Sequence, residues 1–281
     1  MTAMSRPLTE FIQAQWLPWR TDPLWPHLTG VAHRVLSRDD DTGAMTALLR
    51  FPAGWVAGDA PVCPMHEELY ALDGAVSVNA VFFPADFYGF LPAGFPRQRA
   101  TAPEGSVVLA MYTPAASRDL SDYDHTRWEP RTDVFSAIWP AAEPTHGLDL
   151  AAHHARARVL WSDPDGGGQT LIVGYPPVWQ ATTIETQDVD AEYYLLAGDC
   201  TLNGRGTMTP GAYIWRPKGS TRVPMAAGTG TVFLIRTHGG PLSFTATGSA
   251  SVDPETTLGP AIPPETAARM STEALATGVT R

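Results

Sequence analysis

The chain repeats itself at a spacing of about 124 residues, and this repeat constrains its fold more than any other feature. Residues 48–74 align without a gap with residues 172–198. A period this long indicates two copies of one domain rather than a solenoid of short units. The aligned pairs include Pro52 and Pro176, Trp55 and Trp179, Glu68 and Glu192, Tyr70 and Tyr194, and Gly74 and Gly198.

The composition favours short strands over long helices. The chain has 281 residues, of which 26 are proline and 25 are glycine, and 44% are hydrophobic. Brief apolar runs separated by such turn-forming residues predict an all-β sandwich or barrel in each copy. The predicted organisation is an N-terminal helix and covering segment (1–29), barrel 1 (30–115), a connector (116–150), barrel 2 (151–247) and a C-terminal tail (248–281).

Two short peripheral helices are expected outside the barrels. Residues 7–16 can form an amphipathic helix with Thr9 as its cap. In the tail, residues 263–275 begin with proline and an early Glu265, which suits a helix N-terminus.

The charge balance excludes several partners. The formal net charge is −10, whereas binding to nucleic acid or an anionic membrane requires an excess of Lys and Arg. No apolar run approaches the length of a membrane span and no signal peptide is evident, so we expect a cytoplasmic protein. The two cysteines, Cys63 and Cys200, occupy unrelated positions in the copies, which favours two free thiols.

Motifs of a known family occur in both copies. Copy one reads HEELYALDG (66–74) and then YGFLPAGFPRQ (88–98), and copy two reads DAEYYLLAG (190–198) and then YIWRPKGSTRVP (213–224). The chain thus resembles a bicupin, two jelly-roll barrels in tandem, and is most similar to ChrR-like cupins, including acetylacetone-dioxygenase-like bicupins. The resemblance implies tandem double-stranded β-helix barrels, but cupins host many unrelated activities.

The resemblance also identifies where a cupin metal would sit. A typical cupin holds a divalent metal with His-x-His-x-x-x-Glu and one later His. In both copies the position of that last His holds an arginine, Arg97 or Arg222, which cannot bind a metal because it offers no lone pair. We therefore expect no metal and no cofactor in either barrel. The matching positions hold Pro61, Cys63, Glu67 and Arg97 in copy one, and Glu185, Gln187, Ala191 and Arg222 in copy two.

The residues at these positions suggest another chemistry. Arg97 is predicted to pair with Glu67, and Arg222 with Glu185 or Glu192. Such a pair can simply be the polar centre of a barrel, or it can serve catalysis in a cavity. In the catalytic interpretation Glu67 is a general acid or base, Arg97 stabilises an oxyanion, and Cys63 or His66 assists.

Aromatic residues of copy one are candidates for an apolar substrate pocket. Copy one is the more apolar around its motifs, so we expect it to be the working barrel. The residues predicted to line its pocket are Trp55, Tyr70, Phe82, Tyr88 and Phe90.

Three functions remain open at this point. The first is metal-independent acid–base chemistry on a small, fairly apolar molecule, such as isomerisation, cyclisation, dehydration or elimination. The second is a metal-dependent dioxygenase with unusual ligands such as Cys63, His66 and Glu67. The third is a non-catalytic ligand-binding or sensory cupin. A homodimer is plausible for any of the three.

Overall fold

The computed structural model describes residues 6–57, 62–115, 123–141, 154–253 and 263–277. They form an all-β jelly-roll structure with one α-helix, α1 (Pro264–Thr277). The strands are β1 (Thr9–Gln13), β2 (Ala32–Arg38), β3 (Met45–Phe51), β4 (Trp55–Ala57), β5 (Met65–Val78), β6 (Val81–Pro84), β7 (Phe87–Leu91), β8 (Ala100–Ala102), β9 (Ser106–Pro114), β10 (Glu129–Asp133), β11 (Arg156–Ser162), β12 (Gln169–Tyr175), β13 (Trp179–Ala181), β14 (Thr183–Gln187), β15 (Asp190–Gly198), β16 (Cys200–Leu202), β17 (Gly206–Met208), β18 (Ala212–Arg216), β19 (Thr221–Arg222), β20 (Met225–Ala227), β21 (Thr231–His238) and β22 (Phe244–Ser249).

The chain divides into two compact units. Unit 1 is built mainly from Trp19–Ala137, and unit 2 from Pro7–Pro18 and Ile138–Arg281. The main sheet of unit 1 has the order β10-β7-β5-β9-β3-β2, and that of unit 2 has β1-β18-β15-β21-β12-β11. In the repeat, the strands β7, β5, β9, β3 and β2 of unit 1 correspond in this order to β18, β15, β21, β12 and β11 of unit 2. The boundaries predicted for the barrels, and for the connector at 116–150, remain predictions; residues 116–122 and 142–150 lie outside the described part.

The outermost strand on one side differs in origin between the units. Unit 1 takes β10, which follows its sheet in the chain, whereas unit 2 takes β1 from the N-terminal segment. The prediction of a helix over residues 7–16 is therefore wrong: they hold β1 and a short 3-10 turn, Ala14–Trp16. Pairing of β1 with β18 overrides the weak local preference for helix.

The C-terminal helix is confirmed, and it contacts β1. The side chain of Glu265 accepts hydrogen bonds from the backbone N–H groups of Glu10 and Phe11, at 3.2 and 3.4 Å. Thr266 Oγ1 accepts one from the backbone N–H of Gln13 at 2.9 Å. These bonds occupy backbone donors that an edge strand would otherwise leave unpaired.

Strand alternation sets which residues of unit 1 face its interior. Because successive side chains of a strand point to opposite faces, Leu69 and Ala71 of β5 join the core cluster of unit 1. Glu67 shares their face. Glu68 and Tyr70 belong to the opposite face, and both are also buried.

The glycine that ends the first motif is required by the backbone in both units. Gly74 and Gly198 have φ angles of 64° and 80°, in the left-handed region. A Cβ atom at either position would collide with a backbone carbonyl oxygen, that of Gly105 or Gly230 respectively. This close approach explains why the repeat retains the residue.

Two further observations bear on the sequence predictions. Cys63 and Cys200 are buried thiols and no disulfide joins them, as expected. Among the described residues, no helix combines the length and apolar character needed to cross a membrane.

Candidate functional site

An ion pair lies at the centre of unit 1. Glu67 on β5 and Arg97 in the loop between β7 and β8 are 5% and 6% exposed. Arg97 Nη2 contacts Glu67 Oε2, as the sequence predicted for this pair. Burial opposes the charge on Arg97, but the neighbouring Glu67 carboxylate raises the pKa of the guanidinium above its usual value. The guanidinium is therefore held in its charged form.

Tyr112 completes this centre. It lies on β9 directly across from Glu67 in the strand register, and its hydroxyl donates to Glu67 Oε1 at 2.9 Å. Burial and the Glu67 charge raise the pKa of Tyr112, so the hydroxyl keeps its proton.

Sequence reasoning missed Tyr112, although the repeat contained a signal for it. The corresponding facing pair in unit 2 is Ala191 and Thr237. Carboxylate and phenol are thus both present in unit 1 and both absent from the matching positions of unit 2.

A cavity adjoins the ion pair. Its volume is about 40 Å³, and about 10–15 Å³ is enough for one water. The cavity can therefore accept a small molecule or fragment. Most of its wall is aliphatic or aromatic, which suits an apolar ligand held by few polar groups. It is lined by His27, Leu28, Leu49, Phe51, Trp55, Ala57, Glu67, Leu69, Val76, Val78, Arg97, Ala100 and Val108.

His27 is the second side chain that sequence reasoning missed. It comes from the 3-10 turn Pro26–Leu28, in the segment predicted to cover the barrel. Burial and then the charge of Arg97 lower the pKa of His27, outweighing the opposite effect of Glu67. Its imidazole is therefore neutral at neutral pH, and within the described part of the chain its buried Nε2 has no hydrogen-bond partner.

The two predicted auxiliary residues lie apart from the cavity wall. Cys63 is buried, and burial raises the pKa of its thiol, so the group stays protonated. His66 precedes Glu67 on β5 and faces the other side of the sheet. There its Nδ1 accepts a hydrogen bond from the backbone N–H of Ala93 at 3.0 Å, and its ring lies 5.6 Å from that of Phe90.

Of the five predicted pocket aromatics, Trp55 alone is among the lining residues. The other four, Tyr70, Phe82, Tyr88 and Phe90, do not line this cavity. Tyr70 and Tyr88 donate to Asp86 at 2.8 Å and to Glu68 at 2.6 Å, on the face of β5 opposite Glu67. Phe90 is paired with Glu68 in the strand register and shares that face. Phe82 is 47% exposed, because alternation along β6 turns Phe83 inward instead.

Unit 2 has its own buried ion pair. Arg222 Nη1 donates to Glu185 Oε2 at 3.0 Å, and the two residues are partners in the register of β19 and β14. Of the two pairings predicted for Arg222, the structure shows the one with Glu185. Glu192 lies on the face of β15 opposite to the core residues Ala191 and Tyr193. There its carboxylate accepts hydrogen bonds from Tyr213 at 2.8 Å and from Arg236 at 3.3 Å.

The remaining candidate of unit 2 has a structural role. Gln187 Oε1 accepts a hydrogen bond from the Tyr193 hydroxyl at 2.7 Å. Its Nε2 donates to the backbone oxygens of Val189 and Arg216, at 2.7 and 3.0 Å. The cavity of unit 2 has a volume of about 10 Å³, which is barely enough for one water.

The donor atoms are poorly arranged for a metal. Throughout the described residues, no three His, Cys, Asp or Glu side chains are grouped so that they could hold an ion. This includes Cys63, His66 and Glu67. Both carboxylate oxygens of Glu67 are already engaged by Arg97 and Tyr112. Pro61, at the first position of the cupin motif, lies outside the described residues.

Comparisons with known proteins agree with this fold. The model of a family described as "Domain of unknown function (DUF4437)" matches residues 10–243. A candidate dioxygenase from Nostoc punctiforme PCC 73102 is similar in structure, with a TM-score of 0.66 and 20% identity over 84% of this chain and 83% of that one. The search of curated proteins returned no significant match.

Two more distant structures extend the comparison. A variant of Bacillus subtilis oxalate decarboxylase has a TM-score of 0.53 at 10% identity, covering 85% of this chain and 79% of that one. A cupin 2 conserved barrel domain protein from Leptotrichia buccalis has a TM-score of 0.50 at 9% identity, covering 84% and 100%. At these identities the likenesses establish the cupin fold and nothing further.

Proposed function

We propose that this chain, which belongs to the DUF4437 family, is a bicupin enzyme that performs metal-independent acid–base chemistry on a small, fairly apolar carbonyl compound. The reaction takes place in the cavity of unit 1. It begins with the removal of a proton from the carbon next to the carbonyl, a step that isomerases, cyclases and lyases can share, and needs no oxidant or co-reactant.

The proposal depends on one observation: a neutral imidazole and a carboxylate-bound guanidinium line the same apolar cavity. Arg97 Nε is buried and, among the described residues, has no hydrogen-bond partner. A substrate carbonyl oxygen would supply one. As negative charge develops on that oxygen, the guanidinium stabilises it strongly, because the surroundings are apolar.

His27 is the proposed general base. In its neutral form it accepts the proton of the carbon next to the carbonyl, and the bonding electrons move to the oxygen facing Arg97. The resulting imidazolium returns the proton to a carbon atom of the enolate, so atoms and electrons balance. Both carboxylate oxygens of Glu67 are engaged, one by Arg97 and one by Tyr112. Glu67 and Tyr112 are therefore positioning residues: Glu67 holds Arg97, and Tyr112 holds Glu67.

The chemistry of the donor set supports a mechanism without metal. Arg97 stands where the cupin motif has its last ligand, and guanidinium has no lone pair for an ion. Cys63 keeps its proton, whereas metal ligation needs the thiolate. The cupin metal centre therefore does not fit the residues of this unit.

The test is proton exchange. Purified protein is dialysed against a chelator, its metal content is measured, and it is incubated in D2O with butanone or cyclopentanone while NMR follows deuterium incorporation. We expect exchange that survives chelation. His27→Gln should slow it by about 10²–10⁴-fold, and Arg97→Met by about 10²–10³-fold.

A matched control is available within unit 1. His33 also has a pKa lowered by burial, but it does not line the cavity, so His33→Gln should leave the exchange rate unchanged. Exchange that disappears on chelation and returns with iron, zinc or manganese would favour the dioxygenase alternative and overturn the proposal. Saturable binding of these compounds without any exchange would favour a ligand-binding cupin.

A further inference from the structure

The interior of unit 2 contains a buried arginine that the ion pair of Glu185 does not explain. Arg216 ends β18 and is 2% exposed. It is the register partner of Ala191, just as Leu91 is the partner of Glu67 in unit 1. Relative to unit 1, this layer of unit 2 has therefore lost a carboxylate and gained a guanidinium.

The hydrogen-bonding groups of Arg216 are not satisfied by the described residues. Its Nε and Nη2 atoms are buried without a hydrogen-bond partner. Its ionic partner is Glu10, whose Oε2 lies 4.0 Å from Nη2, and Glu10 is also 3.7 Å from the exposed Arg205. Buried donors left unpaired in this way cost free energy, so a ligand that pairs them would bind favourably.

A second positive charge lines the same cavity. Arg216 and Arg222 are both part of its wall, together with Tyr193 and apolar side chains. Burial lowers the pKa of Arg216, and the Arg222 charge adds to this effect. Glu185 binds Arg222 and Glu10 lies 4.0 Å from Arg216, but neither carboxylate is among the residues that form the cavity wall. The cavity is thus electropositive and small.

We propose that the cavity of unit 2 binds a small monovalent anion against Arg216 and Arg222. The Nε and Nη2 atoms form the edge of the guanidinium that binds a carboxylate through two parallel hydrogen bonds. Only the smallest anions, such as chloride and formate, are candidates for a cavity of about 10 Å³. This site is independent of the reaction proposed for unit 1.

The test is anion-dependent thermal stability of the whole chain. The melting temperature is measured in sodium formate, sodium chloride and, as a bulky anion of equal ionic strength, sodium gluconate. At about tenfold Kd we expect formate or chloride to raise Tm by about 4 °C over gluconate. A response to formate alone identifies a carboxylate site, and a response to both identifies a general anion site.

Variants localise the effect. Arg216→Leu introduces the residue that unit 1 has at the matching position, and it should abolish the shift. Arg205→Leu removes the exposed arginine near Glu10 and should preserve it. Line broadening of ¹³C-formate or ³⁵Cl⁻ in NMR reports binding directly, even where a variant folds poorly. The proposal is overturned if neither anion differs from gluconate, or if Arg216→Leu retains the shift.

Discussion

The polar centres of the two units share an arginine but obtain its carboxylate from different places. Arg97 and Arg222 follow the Pro-x-Gly motif at equivalent positions. Arg97 contacts Glu67 on β5, whereas Arg222 binds Glu185 on β14, and the residue of unit 2 that matches Glu67 is Ala191. The comparison indicates that the arginine after the Pro-x-Gly motif keeps a carboxylate partner in both units, while the strand that supplies the carboxylate can change.

The cavities beside the two centres differ in volume and in lining residues, and both differences agree with the proposed roles. Unit 1 has the larger cavity, about 40 Å³ against about 10 Å³, and a neutral histidine in its wall. The smaller cavity of unit 2 has a second arginine, Arg216, in its wall. An apolar cavity with one neutral base suits an organic molecule, and a small electropositive one suits an anion.

The largest predicted effect comes from breaking each ion pair. Arg97→Leu should destabilise unit 1 by about 3–5 kcal/mol, because Glu67 is left buried without its counter-charge. Arg222→Leu should cost a similar amount in unit 2, because Glu185 is equally buried. Thermal and denaturant unfolding of the purified variants measures both values.

Double variants separate the pair from its surroundings. Replacing both members, Glu67→Leu with Arg97→Leu, should recover most of the loss, since no charge remains buried. If Arg97→Leu costs under about 1 kcal/mol while Arg222→Leu costs several, the two centres are not equivalent.

A smaller effect is expected from one buried tyrosine hydroxyl in each unit. Tyr112→Phe should cost about 2 kcal/mol, because its hydroxyl donates to the charged Glu67. Tyr193→Phe should cost about 1 kcal/mol, because its partner Gln187 is neutral. Unfolding free energies give the comparison. Equal losses would mean that the charge on Glu67 adds little to this hydrogen bond.

The repeat predicts much of this architecture, because it preserves residues that the backbone and the core require. Gly74 and Gly198 are an example, since neither position tolerates a Cβ atom. The Glu67–Arg97 pair was also predictable, because both residues fall at motif positions that face a cupin interior.

The lining of the cavity was harder to predict for physical reasons. A shift of one residue in strand register moves a side chain to the other face, so the density of aromatics near the motif did not show which ones point inward. Tyr88 and Phe90 are such cases. His27 reaches the cavity from an irregular segment about 40 residues before Glu67, and a contact of that kind depends on tertiary packing.

The smallest predicted effect is a pH dependence of stability that arises from His27. Burial and the charge of Arg97 lower its pKa below the ordinary 6.5 in the folded chain. Between the two pKa values the unfolded chain therefore binds more protons than the folded chain. The stability contributed by neutral His27 is complete above about pH 6.5 and declines as the pH falls below it.

His27→Gln should therefore make the fall in Tm between about pH 7 and pH 5 shallower. His33→Gln should do the same by its own amount, because burial lowers the pKa of His33 as well. The two variants differ in catalysis, because His27 alone of the two lines the cavity. An unchanged pH profile for His27→Gln would mean that His27 titrates equally in the folded and unfolded chain, and would remove its neutrality as an argument for a general base in unit 1.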